Sequence, residues 1–307
     1  MSFKRSRHPG SVRSKTSLLL LSLALLSSCG TDSLSGRVVL SGSATLAPLA
    51  TKAVEAWKKL HPQVEVRIEA IGSDAGLERL VRFHDADLAL MSRPLQEVDR
   101  TKALAAGVTL VDLPVAWDAV CLVVPSSNTW ARNFTRAQTA LAFTTAKLWS
   151  DLDPSWPAQP IHRFVLGASS GTADVFAEAV LEGKKGLLYG APEVQASEDD
   201  RILARGVAQV EGSLGFLGWS TLQQVDKSVR ALALEGVSPG PDTIRSGTYG
   251  LPRHLWFVVP KAGTTAATRS LIRYLLDSYS SVTADTGLVP LTEDERAAVL
   301  ATLKTLN

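Results

Sequence analysis

The stretch Phe164-Val165-Leu166-Gly167-Ala168-Ser169-Ser170-Gly171-Thr172 reads as a short apolar strand, a Ser/Gly turn and the opening of a helix. Within that helix Val175, Phe176, Ala179 and Val180 recur on one face. The leading N–H groups of a helix have no acceptor within it, and the helix dipole places partial positive charge at the same end. A phosphate, sulfate or carboxylate is therefore favoured there. The turn also spells G-x-S-x-G from Gly167 to Gly171, the pattern of a hydrolase nucleophile elbow in the same strand–turn–helix setting. Both anion binding and catalysis follow from this stretch taken alone.

The same unit recurs upstream. Arg37 to Leu40 reads as a strand, followed by Ser41-Gly42-Ser43-Ala44-Thr45, with Ser43 as the expected N-cap. Leu46, Leu49, Ala50, Ala53, Trp57 and Leu60 then lie at helical spacing, and His61-Pro62 stops the helix. Val64, Val66 and Ile68 alternate as a second strand. Gly72-Ser73-Asp74-Ala75-Gly76 leads into a helix holding Leu77, Leu80 and Val81, and the apolar strand Asp87 to Met91 ends in Ser92-Arg93-Pro94. Two apolar strands are expected over Val108 to Val115 and Trp117 to Pro125, the second crossing into another domain. A helix is expected over Ser197 to Gly206, a Gly-rich strand over Gly212 to Gly218 and a further strand over Val229 to Leu234. Leu255 to Val259 would return the chain to the first domain, and Thr292 with Glu295 spells a capping box. Strand–helix alternation predicts an α/β protein whose ligand sits at the carboxyl ends of parallel strands, where all the Ser/Gly turns lie.

The first thirty residues have a different task. Lys4, Arg5, Arg7, Arg13 and Lys15 precede the apolar run Leu18 to Leu26, as in an export signal too short to be a stable membrane span. Removing residues 1–28 takes away five basic and no acidic residues, so the net charge of +2 becomes −3. A faintly acidic mature chain argues against a nucleic-acid partner, which needs a basic surface to neutralise phosphates. Apart from Cys29 at the end of the leader, only Cys121 remains, in an apolar run that reads as buried core. Neither a disulfide nor a Cys/His metal framework is expected, and no cofactor is implied.

Six short motifs in order give the chain its likeness: S-G-S-A-T-L-A-P-L from Ser41, I-G-S-D-A-G from Ile71, A-D-L-A-L-M-S-R-P-L from Ala86, S-S-G-T from Ser169, G-S-L-G-F from Gly212 and G-L-V-P-L from Gly287. Over about Gly36 to Val299 the chain resembles the phosphate-binding components of bacterial phosphate ABC transporters, PstS-like type II periplasmic binding proteins. The end of the leader, Leu26-Ser27-Ser28-Cys29, resembles a lipoprotein lipobox, with lipid on Cys29. The resemblance implies two mostly parallel sheets flanked by helices, with a hinge and an interdomain ligand cleft. Residues 1–28 would be the signal peptide and 29–36 a tether. Residues 37–116 and 251–307 would form domain I, and 117–250 domain II, with crossovers near 117 and 250.

Carried over position by position, the ligand-binding residues would be Ala44, Thr45 and Leu46 in the first loop, Ser73 in the second, Ser92 in the third, and Ser170, Gly171 and Thr172 from the second domain. The ligand would be inorganic phosphate or a similar tetrahedral oxyanion, and the partner a membrane ABC permease. The protein would be a monomer in the periplasm or at the cell surface, touching the membrane only through its lipid. Many members carry an aspartate where this chain has Ser92. Many also carry an arginine and an acidic residue where Leu166 and Ala168 stand, and Arg93 or Arg163 are the candidates to replace that arginine. Arg163 should point to the opposite face of its strand from the turn.

Two other readings remain on the sequence. In the first, Ser169 is a hydrolase nucleophile, with Asp226 or Asp242 and then His254 following in the order Ser, Asp, His. Against it, the glycine-rich oxyanion segment expected upstream is missing and the Ser41 and Ser73 turns would have no task. In the second, the fold is kept as an oxyanion sensor or surface protein without transport.

Overall fold

The computed structural model describes residues 34–306; the leader 1–28, Cys29 and most of the tether lie outside them. The N-terminal part runs β1 (Gly36–Gly42), α1 (Ala47–Lys58), β2 (Val64–Ala70), α2 (Ser73–Glu78), β3 (Leu88–Met91), α3 (Glu97–Ala105) and β4 (Leu110–Pro125). After a two-residue strand, β5 (Asn133–Phe134), and α4 (Arg136–Ala142) come β6 (His162–Leu166), α5 (Gly171–Leu181), α6 (Gly186–Tyr189), β7 (Val194–Ser197), α7 (Asp200–Gln209), β8 (Ser213–Gly218) and α8 (Trp219–Gln224). The chain closes with β9 (Val229–Ala231), β10 (Ala233–Leu234), α9 (Pro241–Arg245), β11 (Pro252–Pro260), α10 (Ala266–Asp277), α11 (Tyr279–Thr283) and α12 (Glu293–Leu303).

The α/β class expected from the alternation is what forms. β1 pairs in parallel with β2 and β3, and β6 pairs in parallel with β7 and β8. These two parallel sets are joined through antiparallel pairs of β11 with β3 and β4, and of β4 with β8, into one continuous path in the order β2-β1-β3-β11-β4-β8-β6-β7. The two strands expected over 108–125 are therefore one strand of 16 residues. The β4–β11 register shifts between Leu255 and Trp256, which absorbs the irregularity without breaking the strand. Apolar side chains between Ala119 and Leu251, with Val289, form one core around β4, β6 and β8. Others gather around β1, β3 and β11.

Several local expectations change for identifiable reasons. Ser43 does not cap α1: the helix begins at Ala47, with Pro48 in its first turn and Leu46 at the cap position, and the Ser43 carbonyl instead accepts from Leu46 N–H at 3.2 Å. The helix expected over 197–206 starts three residues later, capped by Asp199, because Val194–Ser197 extends the sheet beside β6. The 229–234 strand is two short pieces, and the Thr292/Glu295 capping box forms with both of its bonds. Cys121 is free and fully buried, and burial pushes its thiol well above its ordinary pKa. Among the described residues no helix is long and apolar enough to cross a membrane.

Candidate functional site

The carboxyl ends of β2, β3 and β6 bring three turns together, and these meet through hydroxyl groups. Ser73, the first residue of α2, accepts the Ser92 N–H with its Oγ at 3.0 Å and lies 3.1 Å from Ser92 Oγ. Thr172 Oγ1 lies 3.5 Å from Ser92 Oγ, so a hydroxyl at the start of α5 reaches the pair formed after β2 and β3. All three side chains are buried. A Cβ built on Gly171 would stand 2.7 Å from Ser73 Oγ and 2.9 Å from Ser92 Oγ, so the absence of a side chain is what lets the α5 N-terminus approach these hydroxyls. Ser170 is the N-cap, with its Oγ accepting the Thr172 and Ala173 N–H groups. Its own hydroxyl proton stays available, and the Gly171 N–H donates to no acceptor among the described hydrogen bonds.

Arginine reaches this point from a direction that the motifs do not indicate. Arg253, at the start of β11, sits directly opposite Asp118 of β4 in the antiparallel register. Its Nη2 and Nε donate to Asp118 Oδ2 at 2.7 and 3.3 Å, and Ser220 N–H donates to Asp118 Oδ1 at 2.9 Å. The remaining arm, Nη1, donates to Thr172 Oγ1 at 2.6 Å and to the Ser92 carbonyl at 3.2 Å. Arg253 is 4% exposed and Asp118 fully buried, so the charge is oriented at the hydroxyl cluster and held there by its partner. Thr45 joins the group around Gly218. A Cβ there would lie 2.9 Å from Asp118 Oδ2, 3.1 Å from Arg253 Nη2 and 3.2 Å from Thr45 Cγ2.

The sequence-derived candidates thus divide. Ser73, Ser92, Gly171 and Thr172 come together, Thr45 lies beside Arg253, and Ser170 supports the helix start. The Leu46 amide is taken by Ser43, and Ala44 lines a neighbouring cavity with Thr45. Neither proposed substitute arginine serves. Arg163, pointing away as its strand position requires, donates to the carbonyls of Ala142, Ala146, Ile161 and Pro192. Arg93 is held by Asp99 at 2.5 Å, Asp74 at 2.7 Å and Asp174 at 3.0 Å. The Arg93–Asp174 pair, a Lys185–Asp74 contact at 3.6 Å and the Asp74 N–H to Ser169 carbonyl bond tie the α2 and α5 starts together beside the hydroxyls. Burial raises the Asp174 pKa, partly offset by its bond to Lys185.

Arg253 and Asp118 are the residues of the candidate site that the motif reading missed. The available signal was a single acid inside the apolar run 115–124 and a single base opening the apolar run 255–259, two isolated charges of opposite sign in strands that must be buried. The hydrolase reading fails on geometry. His254 packs on the Trp117 ring at 3.5 Å between centroids and faces Glu295 at 3.5 Å, whereas the Ser169 amide binds Glu198. Among the described hydrogen bonds none joins Ser169 to a histidine, and Asp226 is engaged by Ser228. No group of three potential metal ligands occurs among the described residues.

Comparison with known proteins shows the family. The model of the PBP superfamily domain matches residues 27–278. The chain is 30% identical over 266 residues to Protein SphX of Synechococcus elongatus, covering 83% of this chain and 77% of that protein. It is 25% identical over 279 residues to the phosphate-binding protein PstS of Staphylococcus haemolyticus, covering 88% and 86% respectively. The crystal structure of a possible phosphate binding protein from Planctomyces limnophilus superposes with a TM-score of 0.65 at 25% identity, over 90% of this chain and all of that one.

Proposed function

Since the chain belongs to the PBP superfamily and to its PstS-like group, which consists of binding proteins and not enzymes, we propose that it binds inorganic phosphate extracytoplasmically and delivers it to an ABC permease. The observation that carries this reading is the buried convergence of the Ser73, Ser92 and Thr172 hydroxyls beside the Nη1 arm of Arg253, at the open N-terminus of α5. A tetrahedral oxyanion needs donors from several directions and one compensating charge, and this cluster supplies both. Arg253 takes the place of the arginine that Leu166 does not provide. Its pairing with Asp118 orients it and lowers the cost of burying it while Nη1 is directed at the Thr172 hydroxyl.

The binding residues of this reading are Thr45, Ser73, Ser92, Ser170, Gly171, Thr172 and Arg253. Residues 37–116 with 251–307 and residues 117–250 act as two domains that close on the anion, flexing where β4 and β11 cross between them. The protein works as a monomer held to a membrane through lipid on Cys29. Calorimetric titration with phosphate, sulfate, arsenate, molybdate and tungstate tests the ligand class. Saturable heat with phosphate and arsenate is expected, and silence with all five anions would end the oxyanion reading. Lipidation is tested separately by cell fractionation. The Cys29→Ala protein is expected to leave the membrane fraction, and its retention there would mean that the anchor is something else.

A further inference from the structure

The turn that leads into Ser170, Gly171 and Thr172 is held by side chains from outside it. Lys185 Nζ, just ahead of α6, donates to the Ala168 carbonyl at 2.8 Å, and the Ser169 N–H donates to Glu198 Oε1 at 2.9 Å. These two backbone groups belong to one peptide unit. The Ala168–Ser169 peptide therefore has an ammonium at its oxygen and a carboxylate at its N–H, the charge signs that strengthen both bonds. The flanking carbonyls are taken as well: Tyr189 Oη donates to Leu166 at 3.1 Å, and the Asp74 N–H donates to Ser169 at 3.1 Å. The chain is thereby fixed immediately before Ser170, the N-cap of α5.

Glu198 stands in the link between β7 and α7, and two observations tie it to this turn. Its other oxygen, Oε2, is buried with no hydrogen-bond partner among the described residues, so the bond from Ser169 is the one that the carboxylate accepts there. A Cβ at Gly167 would collide with the same carboxyl group, so the turn lacks a side chain where Glu198 lies across it. Burial raises the Glu198 pKa, the Ser169 N–H and Lys185 pull it down, and Asp74 and Asp174 push it up again. A partly buried carboxylate with one bonded oxygen is a costly support for a fold, and beside a turn that receives an anion its charge is unfavourable. What the turn gains from it is orientation.

Resting on the phosphate reading above, we infer that Glu198 is a positioning residue: by holding the Ser169 N–H it sets the direction in which the Ser170 hydroxyl, the Gly171 N–H and the Thr172 hydroxyl face the oxyanion. Donors already oriented need no rearrangement when the anion arrives, and a turn free to rotate about this peptide loses that advantage.

The test is calorimetric titration with inorganic phosphate of the wild type, Glu198→Ala and Glu198→Gln, each paired with a thermal melt. Glu198→Ala removes the acceptor and is expected to weaken phosphate binding roughly 10-fold. Glu198→Gln keeps an oxygen that can accept the Ser169 N–H, and is expected to restore the affinity to within about 3-fold of the wild type. Gly167→Ala, whose Cβ would displace the carboxyl group, gives a second route to the loss, and wild-type affinity there overturns the inference. A carboxylate acting through its charge alone would make both Glu198 variants bind more tightly, because a negative charge beside the anion is gone. One serving the fold alone would lower the melting temperature of Glu198→Ala and leave its affinity in the cold unchanged. Either result overturns the inference, as does Glu198→Gln binding as weakly as Glu198→Ala. Absence of phosphate heat in the wild type overturns the binding reading, and this inference with it.

Discussion

Arg253→Gln is expected to remove calorimetrically detectable phosphate binding and to destabilise the fold, and the two effects should separate when Asp118→Asn is added. Breaking a buried pair from one side leaves an uncompensated charge and costs about 3–5 kcal/mol, which for a chain of this size lowers the melting temperature by roughly 10 °C. Asp118 would then be a fully buried carboxylate whose remaining partner among the described residues is the Ser220 N–H. In the double variant the orphan charge is gone, and such replacements of a whole buried pair are often close to neutral. Its melting temperature should return to within a few degrees of the wild type. Binding should stay at least ~100-fold weaker, because the charge-assisted donor beside Thr172 is missing from both proteins. Wild-type affinity in the double variant would mean that Arg253 serves the fold alone.

Gly171→Ala should weaken phosphate binding and also lower the stability of the phosphate-free protein, because the contacts it crowds are present without the anion. The new Cβ would stand 2.7 Å from Ser73 Oγ, 2.9 Å from Ser92 Oγ and 3.0 Å from Arg93 Cγ, so the start of α5 could not seat against the hydroxyls without displacing them. Overpacking of this kind costs about 1–3 kcal/mol, or roughly 5- to 150-fold in affinity. Away from that contact alanine suits the first turn of a helix better than glycine, and the Gly171 backbone does not require a positive φ. Thermal melts without phosphate are therefore expected to fall by a few degrees, the gain in helix propensity offsetting only part of the overpacking. An unchanged phosphate affinity would show that the α5 start does not have to meet Ser73 and Ser92 for the anion to bind.

Ser73, Ser92 and Thr172 were legible in the sequence because each sits in a turn between a strand and a helix, and such turns in an α/β fold collect at one sheet edge. The Thr292 capping box and the turning of Arg163 to the strand face opposite the turn were legible for the same reason, since both depend on residues within a few positions. Arg93 was misjudged because its fate depends on Asp99, six residues away, together with Asp174 on another helix. Hydrophobic period, turn chemistry and caps are short-range properties, and the sequence by itself determined from them the α/β class, the order of the elements and the hydroxyl-bearing turns. The choice of the arginine that faces those turns was left to the tertiary structure. Arg253 meets Asp118 across 135 residues only because β11 and β4 pair antiparallel in one register. A shift of one residue would turn each side chain to the opposite face of the sheet.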